Sequence, residues 1–230
     1  MSRLNSSSSG PLLCYVTDRR SLSAVAPKPL HEALLGKIEA AAAAGVDWIQ
    51  IREKDLSARD CGWLTREALR IAASPSKSKT CPTRILVNDR LDIALTEHAG
   101  GVHLGEKSLP PAEAKRLANS RFQGSDFLAG VSCHSLEAAK SAAKDGADYL
   151  FFGPVFATPS KAAFGSPQGL RRLTEVCRAV SVPVLAIGGI TLANASACLA
   201  AGASGIAAIR FFQDAPDLSS VVRSLEGLID

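Results

Sequence analysis

The chain alternates between two kinds of segment along most of its length. Short apolar runs rich in β-branched and aromatic residues are followed by longer stretches with helical periodicity, such as LHEALLGKIEAAAAAG at 30–45. Eight short runs predict strands at 12–16, 47–51, 84–87, 101–103, 127–131, 148–152, 183–186 and 205–209. Strands that are apolar on both faces and joined by crossover helices are typical of a parallel sheet.

Eight such strands in 230 residues predict an α/β fold, a single (β/α)₈ TIM barrel over 12–230. An open doubly wound sheet is the alternative, but no G-x-G-x-x-G motif follows the first strand. A glycine precedes four of the strands, and we expect each to end its helix in the left-handed conformation: Gly45, Gly100, Gly146 and Gly202. In a barrel, function lies at the carboxyl ends of the strands, so the residues there are the candidates.

Composition and charge bound the function. The net charge of +4 includes no block of Lys or Arg that would form a nucleic-acid arm, and no apolar run approaches the length of a membrane span. The opening MSRLNSSSSG has no apolar core of a signal peptide, so residues 1–11 are expected to be a flexible tail. The six cysteines form no C-x-x-C pair, which favours a reduced, cytoplasmic protein.

The segment QIREKD follows the second predicted strand. Alternation along a strand directs Gln50, Arg52 and Lys54 to the same side, into the mouth of the barrel. An Arg, with its bidentate fork, and a Lys, as a point charge, are suited to a phosphate or diphosphate. The alternative is a surface salt bridge of Arg52 with Glu53 or Asp55.

Polar residues also end the third and fifth strands. Asn88 and Asp89 either cap the next helix or hold a hydrated Mg²⁺ together with substrate phosphate. Ser132 and His134 are expected in the mouth, where His134 is the best-placed histidine for acid–base chemistry near neutral pH. Cys133 alternates with them and is expected to face away.

The remaining candidates suit an anion. A long Gly- and Pro-rich loop at 153–169 is typical of a mobile lid or binding loop, and glycines and backbone N–H groups after the last two strands form the usual phosphate site of barrels. These candidates are Thr158, Ser160, Lys161, Gly188, Gly189, Ile209 and Arg210. His103, within the fourth strand, is expected to be an interior residue.

Six ordered motifs occur in register with this barrel: Q-I-R-E-K, V-N-D, G-V-H-L-G, G-V-S-x-H-S, G-P-V-F-x-T-x-S-K and A-I-G-G-I. Together they resemble the thiamine-phosphate synthase superfamily, which also contains the thiazole tautomerases. The resemblance implies two sets of binding residues and Asp89 as a Mg²⁺ ligand. The aminopyrimidine diphosphate would contact Gln50, Arg52, Lys54, Asn88, Ser132 and Lys161, and the thiazole phosphate would contact Thr158, Ser160, Gly189 and the Ile209–Arg210 backbone.

One position departs from the synthase pattern. The resemblance places a second Mg²⁺ carboxylate where this chain has Ser108, and a neutral hydroxyl is a far weaker ligand. Glu106 would have to turn inward to replace it. The tautomerases share this departure, need no metal, and assign acid–base work to the histidine that matches His134. Arg210 also departs, because the superfamily usually has Ser there.

The sequence alone therefore favours a metal-independent thiazole-phosphate tautomerase with no cofactor. In this hypothesis, the catalytic residues are expected among His134, Lys161 and Arg52. The alternatives are a Mg²⁺-dependent thiamine-phosphate synthase and a non-catalytic sensor of thiazole or thiamine phosphate. The expected partners are a phosphorylated thiazole and, in a synthase, an aminopyrimidine diphosphate, with no nucleic acid and no membrane. A homodimer is left open, because no surface patch selects an interface.

Overall fold

Eight parallel strands form a closed barrel in the computed structural model, which describes residues 10–22, 29–73, 82–122, 126–158 and 166–227. The strands are β1 Leu12–Val16, β2 Trp48–Ile51, β3 Arg84–Asn88, β4 Gly101–Leu104, β5 Leu128–Cys133, β6 Tyr149–Phe152, β7 Val184–Ile187 and β8 Gly205–Ala208. Each strand pairs with its sequence neighbours, and β1 closes the ring against β8. The predicted TIM barrel is confirmed, and strand bounds differ from the prediction by at most two residues.

At least one helix follows each strand in the chain. The helices are α1 Leu30–Ala44, α2 Ala58–Ala72, α3 Leu91–Thr96, α4 Pro111–Arg121, α5 Leu136–Lys144, α6 Gly169–Ala179, α7 Leu192–Ala200, α8 Arg210–Gln213 and α9 Leu218–Glu226, with a 3₁₀ turn at Arg19–Leu22. In α1 the buried residues Leu34, Ile38 and Ala41 are spaced by four and three, which is the spacing of one helix face. Within the described ranges, no helix is long and apolar enough to span a membrane.

The side chains inside the barrel form a cluster separate from the layer between strands and helices. Its buried members are Leu12, Cys14, Val16, Trp48, Leu86, Leu128, Tyr149, Phe151, Leu185 and Ala207. Because strand residues alternate in direction, the residues two positions after several of these also face the barrel axis, at its carboxyl end. This alternation places Gln50 above Trp48 and Asn88 above Leu86.

Three of the four helix-ending glycines are left-handed as predicted, with φ values of 90° at Gly45, 89° at Gly146 and 99° at Gly202. The prediction for Gly100 is wrong, because His98 takes the left-handed conformation instead, with φ 58°. Gly100 is required for a different reason. A Cβ atom there would lie 2.4 Å from Cγ of Arg84, so only glycine allows this approach.

Candidate active site

A pair of amides lies at the mouth of the barrel. Gln50 is 1% exposed, and its Nε2 donates a hydrogen bond of 2.9 Å to Oδ1 of Asn88 on the neighbouring strand β3. Gln50 Oε1 is buried and has no hydrogen-bond partner among the described residues. Since buried polar atoms are nearly always satisfied, this oxygen is an acceptor available to a donor on a ligand.

Arg52 follows β2 and is half-buried at the mouth. The salt-bridge alternative for Arg52 is wrong within the described residues, because both neighbouring carboxylates pair with another arginine. Arg19 contacts Glu53 at 3.0 Å and Asp55 at 2.7 Å. Because Arg19 pairs with both carboxylates, the Arg52 guanidinium remains available to a ligand at the mouth. The predicted phosphate-binding role of Arg52 requires this.

His103 lies inside the barrel, as predicted, and is 2% exposed. Its Nδ1 is 3.1 Å from the hydroxyl of Tyr149, and its Nε2 is 2.9 Å from Oγ of Ser132. Burial lowers the pKa of His103 to about 3, and the positive charge of Arg52 adds to that effect. The ring is therefore neutral, and it connects the buried phenol to a hydroxyl at the mouth.

Asp89 is held above β3 by its neighbours. Its φ of 61° is left-handed, and its carboxylate accepts a hydrogen bond from the hydroxyl of Ser108 in the β4–α4 turn. The same Ser108 oxygen accepts a hydrogen bond of 3.0 Å from the Gly105 N–H. Arg90 occupies the N-cap of α3, with no side-chain cap bond. The interpretation of Asn88 and Asp89 as helix caps is therefore wrong.

Glu106 is directed toward the end of β5. Its Oε1 accepts a hydrogen bond of 2.7 Å from the backbone N–H of His134. The His134 ring lies with Nδ1 2.5 Å from the carbonyl oxygen of Gly153, so Nδ1 carries the proton that is donated to this carbonyl. Cys133 faces away as predicted, and burial, with the charge of Glu106, raises its pKa to about 12.

The loop after β7 contains two consecutive left-handed glycines. Gly188 has φ 94° and Gly189 has φ 67°. A Cβ at Gly188 would lie 2.5 Å from Cβ of Pro154, and one at Gly189 would lie 2.6 Å from the carbonyl oxygen of Ala157. Successive N–H groups in such a turn form a concave site for an anion. Arg210 is exposed and begins α8 after β8.

The structure therefore brings Gln50, Asn88, Arg52 and Ser132 to one end of the barrel. Lys54 is exposed in the turn beyond them. Thr158, in the loop between β6 and α6, and Ile209, directly after β8, are both half-buried. The predicted residues Ser160 and Lys161 lie outside the described residues.

Sequence reasoning missed Tyr149 as part of the site. The signal was available, because Tyr149 alternates with Phe151 and must face the interior with it.

Asp89 and Ser108 present oxygen atoms at the mouth, the ligand type that Mg²⁺ prefers. This ion is usually bound through one or two carboxylates together with substrate phosphate and water. No group of three or more His, Cys, Asp or Glu side chains in the described part of the chain could hold a metal ion. The residues fit an ion bound jointly by Asp89 and the phosphate of a substrate, without an all-protein cage.

Comparison with known proteins decides the family. The model of the thiamine monophosphate synthase family matches residues 14–212, which include most of β1, all of β2 to β8 and the site described above. The chain belongs to the thiamine-phosphate synthase family. Within this family, a thiamine-phosphate synthase from Methanocella arvoryzae is 43% identical over 189 residues, covering 82% of this chain and 84% of the relative. The thiamine-phosphate synthase of Roseiflexus castenholzii is 40% identical over 218 residues, covering 94% and 88%.

A solved family structure has the same architecture. The thiamine phosphate pyrophosphorylase from Pyrococcus furiosus aligns with a TM-score of 0.75 and 32% identity, and the alignment covers 95% of each chain. These comparisons confirm the superfamily that the motifs indicated. They do not support the preference for the tautomerase branch, because the relatives are named as synthases.

Proposed function

We propose that the chain is a Mg²⁺-dependent thiamine-phosphate synthase, a transferase that joins an aminopyrimidine diphosphate to a thiazole phosphate. The names of its relatives support this function. The single observation that carries it is the buried Gln50 Oε1, which has no partner among the described residues and lies beside Asn88. An amide acceptor next to an amide donor is complementary to the amino group and ring nitrogen of an aminopyrimidine.

The diphosphate would then extend toward the cationic rim. Arg52 offers a bidentate fork, Ser132 offers a hydroxyl, and Lys54 and Lys161 are proposed as point charges on the same group. The C–O bond to the diphosphate breaks with its electron pair leaving on the diphosphate, and the thiazole nitrogen forms the new bond to the resulting carbocation. Mg²⁺ bound at Asp89 would neutralise charge on the departing group.

The thiazole phosphate is proposed to bind at the opposite side of the mouth. The consecutive left-handed glycines Gly188 and Gly189 are proposed to offer their N–H groups to the phosphate, together with the backbone at Ile209 and Arg210 after the adjacent strand. Thr158 and Ser160 are proposed to add hydroxyl contacts. This arrangement would hold the thiazole nitrogen toward the pyrimidine at a fixed distance, which is the positioning that a bond-forming step needs.

A second candidate function, the metal-independent tautomerase, is favoured by one observation. The Nδ1 proton of His134 is directed to the carbonyl of Gly153, and Nε2, which has no hydrogen-bond partner among the described residues, would take or return a proton at the mouth. Ser108 in place of a carboxylate is compatible with this reaction, which needs no metal. The synthase is preferred because the tautomerase gives no role to the buried amide pair of Gln50 and Asn88.

The deciding experiment measures thiamine phosphate formation from the two phosphorylated precursors, with Mg²⁺ and with a chelator. A synthase forms product only with Mg²⁺. The tautomerase would instead be established by metal-independent aromatisation of the carboxythiazole phosphate. This activity would have to be lost in His134→Gln and retained in the matched variant His31→Gln. Tight binding of thiazole phosphate without either turnover would identify a sensor and contradict both enzymes.

A further inference from the structure

A continuous line of three side chains runs from the barrel interior to the mouth. The hydroxyl of Tyr149, at 0% exposure, is 3.1 Å from Nδ1 of His103, and Nε2 of the same ring is 2.9 Å from Oγ of Ser132. The His103 ring also lies against Phe151, with centroids 4.1 Å apart. Gly130 on β5 leaves the space for the phenol, because a Cβ there would lie 2.0 Å from Tyr149 Cζ.

The direction of the first hydrogen bond follows from burial. The bond to His103 is the only one that the Tyr149 hydroxyl makes among the described residues. If Nδ1 donated to the phenolic oxygen, the phenolic hydrogen would be buried without an acceptor, which is costly. The phenol therefore donates to Nδ1, and Nδ1 carries no proton.

The direction of the second bond follows from the first. A neutral imidazole whose Nδ1 accepts must carry its proton on Nε2, so Nε2–H donates to Ser132 Oγ. The lowered pKa of His103 agrees with a neutral ring. Ser132 Oγ is thereby occupied as an acceptor from below, and its own hydrogen is left for an acceptor in the mouth.

We infer that Tyr149 and His103 are positioning residues that orient Ser132 as a hydrogen-bond donor toward an anionic oxygen bound at the mouth. The opposite orientation would direct the lone pairs of Ser132 at the same anion and repel it. The identification of that anion as a diphosphate rests on the proposed function. The orientation itself does not, because it follows from contacts within the chain.

The first test observes the tautomer directly in the unmodified protein. With ¹⁵N-labelled histidine, long-range ¹H–¹⁵N correlation spectra distinguish a protonated from an unprotonated ring nitrogen, and the His103 signals are assigned by their loss in His103→Gln. We expect Nε2 protonated and Nδ1 unprotonated near neutral pH. A protonated Nδ1 would overturn the inference, and the tautomer itself is observed in the native protein, since the variant serves only for assignment.

The second test is a double-mutant cycle on the affinity for inorganic pyrophosphate in the presence of Mg²⁺, measured by calorimetry. Ser132→Ala is expected to weaken binding about 10-fold, the usual effect of losing one hydrogen bond to a charged group. Tyr149→Phe is expected to weaken it about 3-fold in the native background and not at all in Ser132→Ala, because it acts through that hydroxyl. Additive effects would contradict the inference.

The matched control is Tyr15→Phe. Tyr15 is also 0% exposed and makes one buried hydrogen bond, 2.8 Å to Gln213, but lies in the outer layer of the core. The Tyr15→Phe variant should be less stable than the native protein, with no change in its affinity for pyrophosphate. A loss of affinity equal to that of Tyr149→Phe would contradict the inference. Neither test requires turnover, so a protein that forms no thiamine phosphate would refute the proposed function while the tautomer and the cycle still decide this inference.

Discussion

The hydroxyl of Ser108 donates a hydrogen bond to the carboxylate of Asp89, and these two residues come from the loops after neighbouring strands β4 and β3. The hydroxyl is itself held by the Gly105 N–H at 3.0 Å. Ser108 therefore lies beside Asp89 at the position where a second acidic ligand would help to bind a cation. It supplies a neutral contact there, while the nearby Glu106 is directed to the His134 backbone.

Replacing Ser108 with aspartate should strengthen the cation site. A second carboxylate beside Asp89 is expected to raise Mn²⁺ affinity about tenfold or more, because both carboxylates attract the same divalent ion. The measurement is Mn²⁺ binding by electron paramagnetic resonance, with Mg²⁺ competition. Without metal, the variant should be less stable than the native protein, since two adjacent carboxylates repel.

The control Ser120→Asp adds the same charge on the exposed face of α4 and should leave Mn²⁺ affinity unchanged. Equal affinity in both variants would contradict Asp89 as a ligand.

Gln50 and Gln213 are both 1% exposed, but only Gln50 has an unpartnered oxygen within the described residues. Gln50→Leu is expected to change the free energy of unfolding by less than about 1 kcal/mol, because the lost amide bond is offset by removing the orphan acceptor. It should nevertheless raise the KM for the aminopyrimidine diphosphate about tenfold or more. The KM for the thiazole phosphate should not change.

The comparison with Gln213→Leu separates binding from stability. Gln213 accepts from the Tyr15 hydroxyl and donates to the Asp18 carbonyl, both at 2.8 Å. Its loss leaves the buried Tyr15 hydroxyl without a partner among the described residues, and the Asp18 carbonyl keeps only its bonds from Ser21. This loss should cost about 1–3 kcal/mol in a urea titration. A Gln50→Leu variant that is as unstable as Gln213→Leu would show that Gln50 serves the fold and not the substrate.

Gly130 and Gly36 offer a matched pair of glycine substitutions. Gly130→Ala would bring a methyl group to 2.0 Å from the Tyr149 ring, and displacement of that ring should cost about 1–3 kcal/mol of the free energy of unfolding. Gly36 lies within α1, where a Cβ meets nothing within 4 Å. Gly36→Ala should instead stabilise the protein by about 0.4–1 kcal/mol. Urea titration of both variants checks these opposite signs, and destabilisation by Gly36→Ala would contradict the packing described for α1.

The barrel and the inward direction of Gln50 and Arg52 follow from sequence because both depend on a local period of two along each strand. The contacts of Ser108 with Asp89 and of Glu106 with His134 do not, because each joins side chains from two different loops. Local patterns do not encode how such loops meet. The error at Gly100 has the same origin, since the chain there is restricted by Arg84 from another strand.

The interpretation of Ser108 shows a further limit of sequence reasoning. One lost carboxylate favoured a tautomerase, whereas similarity over the whole barrel favours a synthase. A single ligand position is weak evidence because Mg²⁺ retains water and takes substrate phosphate as ligands, so one carboxylate fits its chemistry. The buried amide pair at Gln50 distinguishes the functions better, since an unsatisfied interior acceptor has no structural use.

His103 should make the protein sensitive to acid. Its pKa is lowered from 6.5 to about 3 by burial, so between these values the unfolded chain binds a proton that the folded chain does not. This proton uptake does not affect the free energy of unfolding above pH 6.5. As the pH falls from 6.5 toward 3, it lowers that free energy by up to about 1.4 kcal/mol per pH unit. Urea titrations from pH 7 to 4 should show a shallower decline for His103→Gln than for the native protein. His31→Gln, on α1, should decline like the native protein. Parallel curves for the native protein and His103→Gln would mean that His103 accepts a proton in the folded state, which would contradict the neutral buried ring.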